Sequence, residues 1–431
     1  MASSKFKTQN PKLEKLDTTF HIAARFLFAK RRAMLMSLSG IVFGVGLFII
    51  TQAQTAGFEH FFTRTVLATD GALHVEDRIQ DTIASMTIES ESGGTADAVS
   101  LSKERKYIEG VQFPEQIKEG LAQFENIAGI SSVLRGSIEL DSNFRQQPTQ
   151  IFGINLDDFL AVSNLAGQIV FGKLDDFRAD QKGVLIGSRL ASRANLAVGD
   201  PVVLRQAGRS DRYRVAAIFE SGIEQVDRER VIVHLPEARA ILGRPFGVSY
   251  LQASLRDNDR AANEAPHMQE VLGHSVVPWQ DREKIWLDVF RALRASSALT
   301  VSTIILISGL GMFNTLAMIV LEKTREIAIL RSMGYTRRDI SRIFLLQGGM
   351  VLVAGSGLGC ALGAGGTWLV ANLPLRIRGI FTTDHFVVYW SPWHYVWAVV
   401  AAAVVVFIAS WIPARRAARL EPGDIIRGAA V

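Results

Sequence analysis

Ala295–Leu321 reads ASSALTVSTIILISGLGMFNTLAMIVL, a run without one Asp, Glu, Lys or Arg. A helix needs about 20 apolar residues to cross a bilayer core, and backbone in lipid must satisfy its own hydrogen bonds. The run is therefore expected to be a spanning helix. Ala33–Gly57, Ile343–Leu375 and Trp390–Ala414 share the property. The polar region 58–294 separates the first stretch from the other three. The expected fold class is an α-helical membrane protein with four transmembrane helices (1+3). A large extracytoplasmic α+β domain is inserted between the first and second.

Charge supplies the orientation. Lys5, Lys7, Lys12, Lys15, Arg25, Lys30, Arg31 and Arg32 precede the first stretch. Lys323, Arg325, Arg331, Arg337, Arg338 and Arg342 lie between the second and third, and Arg415, Arg416, Arg419 and Arg427 follow the fourth. Lys and Arg beside spans are retained in the cytoplasm. The tail 1–32, the loop 322–342 and the tail 415–431 are thus expected inside, and 58–294 and 376–389 outside. Trp368, Trp390, Trp393 and Trp397 would then mark the outer interface and Trp411 the inner one. The net charge of +5 comes from these flanks, which argues against a nucleic-acid partner.

The basic region before the first span is long, and Ala53-Gln54-Thr55-Ala56 is a poor cleavage site, so an uncleaved signal-anchor helix is expected. Phe20 to Arg31 mixes aromatic and basic residues. It reads either as an amphipathic helix on the inner membrane surface or as an extension of the first span.

The region 58–294 reads as mixed α and β without repeats. Pro114 opens a helix with Ile117, Leu121 and Phe124 on one stripe. Strands are expected at Ile130–Leu140, Gly183–Ile186, Pro201–Leu204, Tyr213–Phe219, Arg230–Val233 and Ser249–Leu255, with turns at Gly199-Asp200 and Gly222. Pro236 starts a short helix through Leu242. Glu89–Asp97 is polar and Gly-containing and reads as a loop. Its only cysteine, Cys360, lies in the third span, so no disulfide can staple this domain.

Signatures of catalysis are missing. No G-x-x-x-x-G-K-[ST] phosphate loop, H-E-x-x-H zinc motif or G-x-S-x-G elbow occurs, and the eight histidines are scattered. Asp157-Asp158 and Asp175-Asp176 read as solvated loop residues rather than acid/base couples. No span carries the charged residue that an ion path needs, and His394 reads as an interfacial ring. No catalytic residue, metal site or bound cofactor is expected.

The informative cytoplasmic segment is Leu321-Glu-Lys-Thr-Arg-Glu-Ile-Ala-Ile-Leu-Arg-Ser-Met-Gly334. Ile327, Leu330 and Met333 share one side of a helix, with Arg325, Glu326 and Arg331 elsewhere. Gly334 suits the left-handed position after a helix, and Thr336 with Asp339 has capping-box spacing for the next. That next helix carries Ile340, Ile343 and Phe344 into the third span. A rigid elbow at the inner face is expected.

This segment closely resembles the E-x-x-R-E-I-A-I-L-R-x-M-G elbow of ABC permeases of the MacB, FtsX and lipoprotein-releasing type. Glu322, Arg325, Glu326, Ile327, Ala328, Leu330, Arg331, Met333 and Gly334 match it. Pro413-Ala-Arg-Arg-Ala-Ala-Arg-Leu-Glu-Pro422 is similar to the tail of these permeases. Phe152–Asn155, Val184–Gly187, Leu196–Asp200 and Val231–Leu235 follow the family's order in a MacB-type periplasmic core, whose second subdomain would take in about 146–250. Phe26–Arg32, Gly57-Phe58, His74-Val-Glu76 and Thr383–Val388 resemble the lipoprotein-releasing permeases LolC and LolE most. Ile88 to Lys106 does not align readily with the family's pattern.

The resemblance implies a permease of the bacterial inner membrane that pairs with a copy or a paralogue. A separate cytoplasmic ABC ATPase dimer, holding ATP and Mg, would grip the elbow. The coupling residues would be Glu322, Arg325, Glu326, Ile327, Leu330, Arg331, Met333 and Gly334. Exchanging charges in an Arg331→Glu, Glu326→Arg variant should uncouple ATP turnover without unfolding the spans. Lipoproteins would leave the outer leaflet through a cavity lined by Phe48, Ile49, Thr303 and Ile307 and pass to a periplasmic carrier. Gly40 with Gly44, and Gly355, Gly359 and Gly363, offer grooves for close helix packing, within the subunit or at a dimer seam. Two other functions fit the resemblance: a MacB-like efflux permease of a tripartite pump, and an FtsX-like signalling module that activates a cell-wall hydrolase.

Overall fold

The computed structural model describes residues 21–26, 31–86, 100–142, 146–373 and 386–419. The N-terminal lysines, the Glu89–Asp97 loop, Arg376, Thr383 to His385 and the tail from Leu420 fall outside them. The described residues form two compact units, which divide within the first long helix at Glu59/His60 and within the second at Asp288/Val289.

Among the described residues, four helices are long and apolar enough to cross a membrane, Arg31–Asp70, Lys284–Glu322, Arg337–Ala371 and Pro392–Arg419, with the end of the first and the start of the second belonging to the second unit. Two of them outrun their uncharged cores. The first continues past Gly57 to Asp70, because Phe62 and Val66 extend a buried stripe and only Gly71, at φ +67°, turns the chain. The second begins at Lys284, before the uncharged run, with Phe290 buried in its early turns.

Ile41, Val45 and Ile49 of the first long helix, Ile305, Met312 and Leu316 of the second, Phe344 and Val351 of the third and Ala402 and Val406 of the fourth share one core. The outward faces stay apolar. Ile307, Leu310, Val353, Leu358, Phe407 and Ile408 are each more than half exposed. Water would not tolerate so continuous an apolar belt, whereas lipid requires it. Residues 21–26 are helical and bury Ala23 and Phe26 in the same core, where Gln347 donates to the Ala23 carbonyl at 3.4 Å.

The second unit is α+β. Its strands are β1 (Leu73–Met86), β2 (Ser100–Ile108), β3 (Ile127–Asp141), β4 (Gln146–Ile154), β5 (Ile169–Gly172), β6 (Gly183–Gly187), β7 (Pro201–Gln206), β8 (Arg209–Phe219), β9 (Arg230–His234), β10 (Tyr250–Leu255) and β11 (His274–Pro278). They join in one sheet of order β11-β1-β10-β3-β4-β9-β6-β8-β5, with β2 on β1 and β7 against β3 and β8. Among the described residues, only β4/β9 and β6/β8 are parallel pairs.

All six expected strands are present, most of them longer than read. β4, with three glutamines and Pro148, has a poor strand signature and is held by β3 and β9. Part of the Ile88 to Lys106 stretch, which does not align readily by eye, is β2. The Asp pairs are not loop residues. Asp157-Asp158 and Asp175-Asp176 sit in the first turns of helices Leu156–Val162 and Leu174–Ala179, where carboxylates meet unpaired backbone N–H groups. Asp157 pairs with Arg178 at 2.8 Å and Asp158 with Lys118 at 2.9 Å.

One buried carboxyl gives this unit a pH dependence. Asp227 is fully buried, and its Oδ1 accepts from Ser221 N–H and Oγ–H, each at 2.7 Å. Burial pushes its pKa up against those hydrogen bonds. The folded state then holds the proton more tightly than the unfolded chain. Stability is therefore lost as pH rises from the ordinary carboxylate range through the raised value. Asn keeps the acceptor oxygen without the charge, so Asp227→Asn in the full chain should gain more melting temperature at pH 8 than at pH 5. An equal difference at both values would contradict this.

Candidate coupling site

The elbow is built from short-range signals. The second long helix ends at Glu322, and Lys323, at φ −93° and ψ 9°, turns the chain into the helix Thr324–Ser332. Met333 closes that helix and Gly334 takes φ +96°. Gly334 N–H then donates to the Arg331 carbonyl at 3.1 Å and Tyr335 N–H to the Leu330 carbonyl at 3.2 Å. These are the two bonds of a Schellman stop. Thr336 starts the third long helix with a reciprocal capping box. Its Oγ1 accepts from Asp339 N–H at 3.3 Å, and Asp339 accepts from Thr336 N–H at 3.0 Å. Ile340, Ile343 and Phe344 follow, all buried.

The apolar side of the elbow divides differently from the sequence reading. Ile327 is in the bundle core at 1% exposure and Leu330 is half-buried, whereas Met333 is 72% exposed. Met333 stands free because the helix stops at Ser332 and the chain turns away. Ile329, absent from the expected set, is 50% exposed. With Arg325 and Glu326 it forms the outward face of the helix, at positions i, i+1 and i+4, and the exposed Glu322 and Met333 flank it. That recurrence was in the sequence, but four consecutive apolar residues, Ile327 to Leu330, hid which of them faces out. A groove of about 450 Å³ between this helix and residues 21–26 is lined by Ile22, Arg25, Phe26, Lys323, Glu326, Ile329 and Leu330.

The charges on the elbow have unlike duties. Glu326 pairs with Lys323, whose ammonium lies 5.6 Å from the centre of the Phe26 ring. Arg331 Nη1 donates to the Ala418 carbonyl at 3.3 Å, in the last turn of the fourth long helix. A cation at a helix C-terminus is favourable and a carboxylate there is not. Arg331→Glu is accordingly expected to lower the melting temperature, and Glu326→Arg to leave it near wild type. Uncoupling is therefore best tested with Glu326→Arg alone. Equal melting of the two variants would remove the anchoring role of Arg331.

The glycines pack within the chain. A Cβ on Gly355, Gly359 or Gly363 would lie 2.9, 2.8 or 2.9 Å from Ile41, Val45 or Ile49, so two helices meet along matched four-residue steps. A Cβ on Gly40 would lie 2.3 Å from Ser308 Oγ, and one on Gly44 2.7 Å from Ile305 Cγ1. The four residues expected around an acyl cavity do not share a surface. Phe48 and Ile49 are buried in the bundle, Ile49 against Gly363, while Thr303 and Ile307 are exposed. Of the two inward positions, Ile49 is taken up by the close contact that Gly363 permits.

Residues 34–269 match the MacB-like periplasmic core domain, and residues 298–422 match the FtsX-like permease C-terminal domain. The lipoprotein-releasing system transmembrane protein LolC of Xylella fastidiosa is 26% identical over 442 residues, covering 94% of this chain and 98% of its own. The corresponding LolE of Haemophilus influenzae is 22% identical over 450 residues, covering 95% and 99%. Among solved structures, the periplasmic region of MacB from Actinobacillus actinomycetemcomitans is similar at 11% identity and a TM-score of 0.33, over 52% of this chain and 95% of its own. The first domain match alone takes in more than half of the chain, which belongs to the ABC transporter permeases of the LolC/LolE, MacB and FtsX-like family.

Proposed function

We propose that this permease draws lipoproteins from the outer leaflet of the bacterial inner membrane, driven by a separate cytoplasmic ATPase dimer that grips the elbow. The N- and C-termini lie in the cytoplasm. Spans at 33–57, 295–321, 343–375 and 390–414 carry the head 58–294 outside, joined by the elbow 322–342 and the short outer loop 376–389. A second permease, a copy or a paralogue, completes the pair, and a periplasmic carrier takes the cargo. Burying each acyl CH₂ is worth about 0.8 kcal/mol, so a lipoprotein leaves the bilayer only with coupled work. Thr303 and Ile307, exposed on the second long helix, are the two expected cavity residues available to lipid or to a partner permease.

The observation that carries this reading is the elbow. It is a helix with a hydrogen-bonded stop and a capped restart, which is stiff enough to act as a lever and presents Ile329 and Met333 amid charges. The choice of cargo is supported by relatives named for lipoprotein release that match almost from end to end. Photo-crosslinkers placed on the exposed Phe171 and Phe246 of the head test it. Capture of an acylated protein or a soluble carrier is the expected result. Capture of a pump adaptor or of a cell-wall hydrolase would overturn it in favour of efflux or signalling.

A further inference from the structure

The end of the first long helix is seated in the head by charge. Arg230 Nη1 donates to Asp70 Oδ1 at 2.9 Å and Nη2 to Oδ2 at 3.4 Å, with the two side chains only 11% and 22% exposed. The guanidinium also lies 4.2 Å from the centre of the Phe152 ring on β4. Arg230 opens β9, a strand flanked by β4 and β6 in the sheet, so the helix end is fastened to the interior of the sheet.

The next residues are fastened as well. Gly71 accepts from Arg282 Nη2 at 3.1 Å, and Ala72 accepts from Trp279 N–H at 2.9 Å. Both donors belong to the segment that leads into the second long helix. His74 Nε2 meets the Asp70 carbonyl at 2.9 Å, and its ring stacks on Tyr250 at 4.4 Å. Below the joint, Phe62 and Trp286 bring the two long helices into ring contact at 5.6 Å.

An apolar seat would bury the same helix end without desolvating two ions. What the bidentate pair adds is register. Two oxygens facing two nitrogens in one plane are satisfied at one rotation and one height of the helix, whereas apolar contacts tolerate slippage. We propose that Asp70 and Arg230, with Arg282 on the Gly71 carbonyl, are positioning residues. They form an indexing joint that fixes the head on the helix end, so that displacement of the helix reaches the head undiminished. Only the consequence for transport rests on the permease reading; the joint itself rests on this geometry.

The test uses the full chain with its ATPase. In wild type, the amides of Gly71 and Ala72 should exchange with deuterium as slowly as those of β9, and fast exchange would overturn the joint. Asp70→Ala or Arg230→Ala strands a buried charge and should melt lower. Asp70→Leu with Arg230→Met removes both charges and should recover melting. In that double variant, exchange at Gly71 and Ala72 should rise at least tenfold and release per ATP hydrolysed should fall at least tenfold. A purely structural pair would recover release together with melting, and that result would sink the proposal. Slow wild-type exchange without any ATP-driven change in the head would leave the joint standing and overturn the permease reading instead.

Discussion

Gly359→Leu is expected to prevent the four long helices from closing into one bundle, leaving little folded protein in the membrane. A Cβ at this position already falls 2.8 Å from Val45 Cβ and 3.1 Å from the Val42 carbonyl oxygen. Neither neighbour can yield. Val45 is β-branched and holds one rotamer in a helix, and the carbonyl is backbone. Overpacking costs about 1–3 kcal/mol in a soluble core, where the hydrophobic effect still holds the elements together. In lipid that force is missing, and helices associate through van der Waals contact that falls away as soon as they separate. One leucine would also lift Gly355 and Gly363 off Ile41 and Ile49, because all three steps lie on the same pair of helices. Gly357→Leu is the control, since nothing lies within 4 Å of a Cβ there. Thermal melting of both variants in detergent decides the matter. Normal melting of Gly359→Leu with a lost permease pair would instead place the glycine seam between subunits.

What could be read from the sequence follows from how local each determinant is. Gly334, Thr336 and Asp339 specify a stop and a restart within six residues, using backbone conformation and side chains that reach no further than three positions. The stop and restart of the elbow were therefore legible. The glycine pattern 355, 359, 363 was legible as a groove, but its occupants, Ile41, Val45 and Ile49, lie hundreds of residues away and had no local sign. Ile327 was placed on the inner side by the sequence, whereas the exposure of Met333 and Ile329 is set by where the helix stops and by what the bundle covers. In the head, strands rich in Val, Ile and Leu were found, whereas β4 and the charged β1 are strands because their neighbours pair with them. The run of the first helix beyond Gly57 was hidden for a similar reason. Phe62 and Val66 continue the stripe only at a lower density of apolar residues. The Asp70–Arg230 pair joins positions 160 apart in sequence and could not be foreseen.

Ile329→Ala combined with Met333→Ala should weaken association with the ATPase by at least about 30-fold while leaving the permease folded. The two side chains are 50% and 72% exposed, so their truncation removes no core, and exposed substitutions usually shift stability by no more than about 0.5 kcal/mol. Large apolar groups surrounded by Glu322, Arg325 and Glu326 are instead the composition of a contact centre with a charged rim. Loss of an anchor of that kind costs about 2 kcal/mol or more, which is roughly 30-fold in affinity. Ile327→Ala should behave in the opposite way, lowering melting through the cavity it leaves in the bundle while keeping the outward face. Membrane lipid is the competing occupant of that face. If Ile329 and Met333 were immersed in headgroups, the double variant would bind its ATPase as tightly as wild type, measured by nucleotide-dependent co-purification in the same detergent. The elbow would then be a membrane anchor, and the lever that drives the head would have to be sought among the arginines of the adjoining helix start.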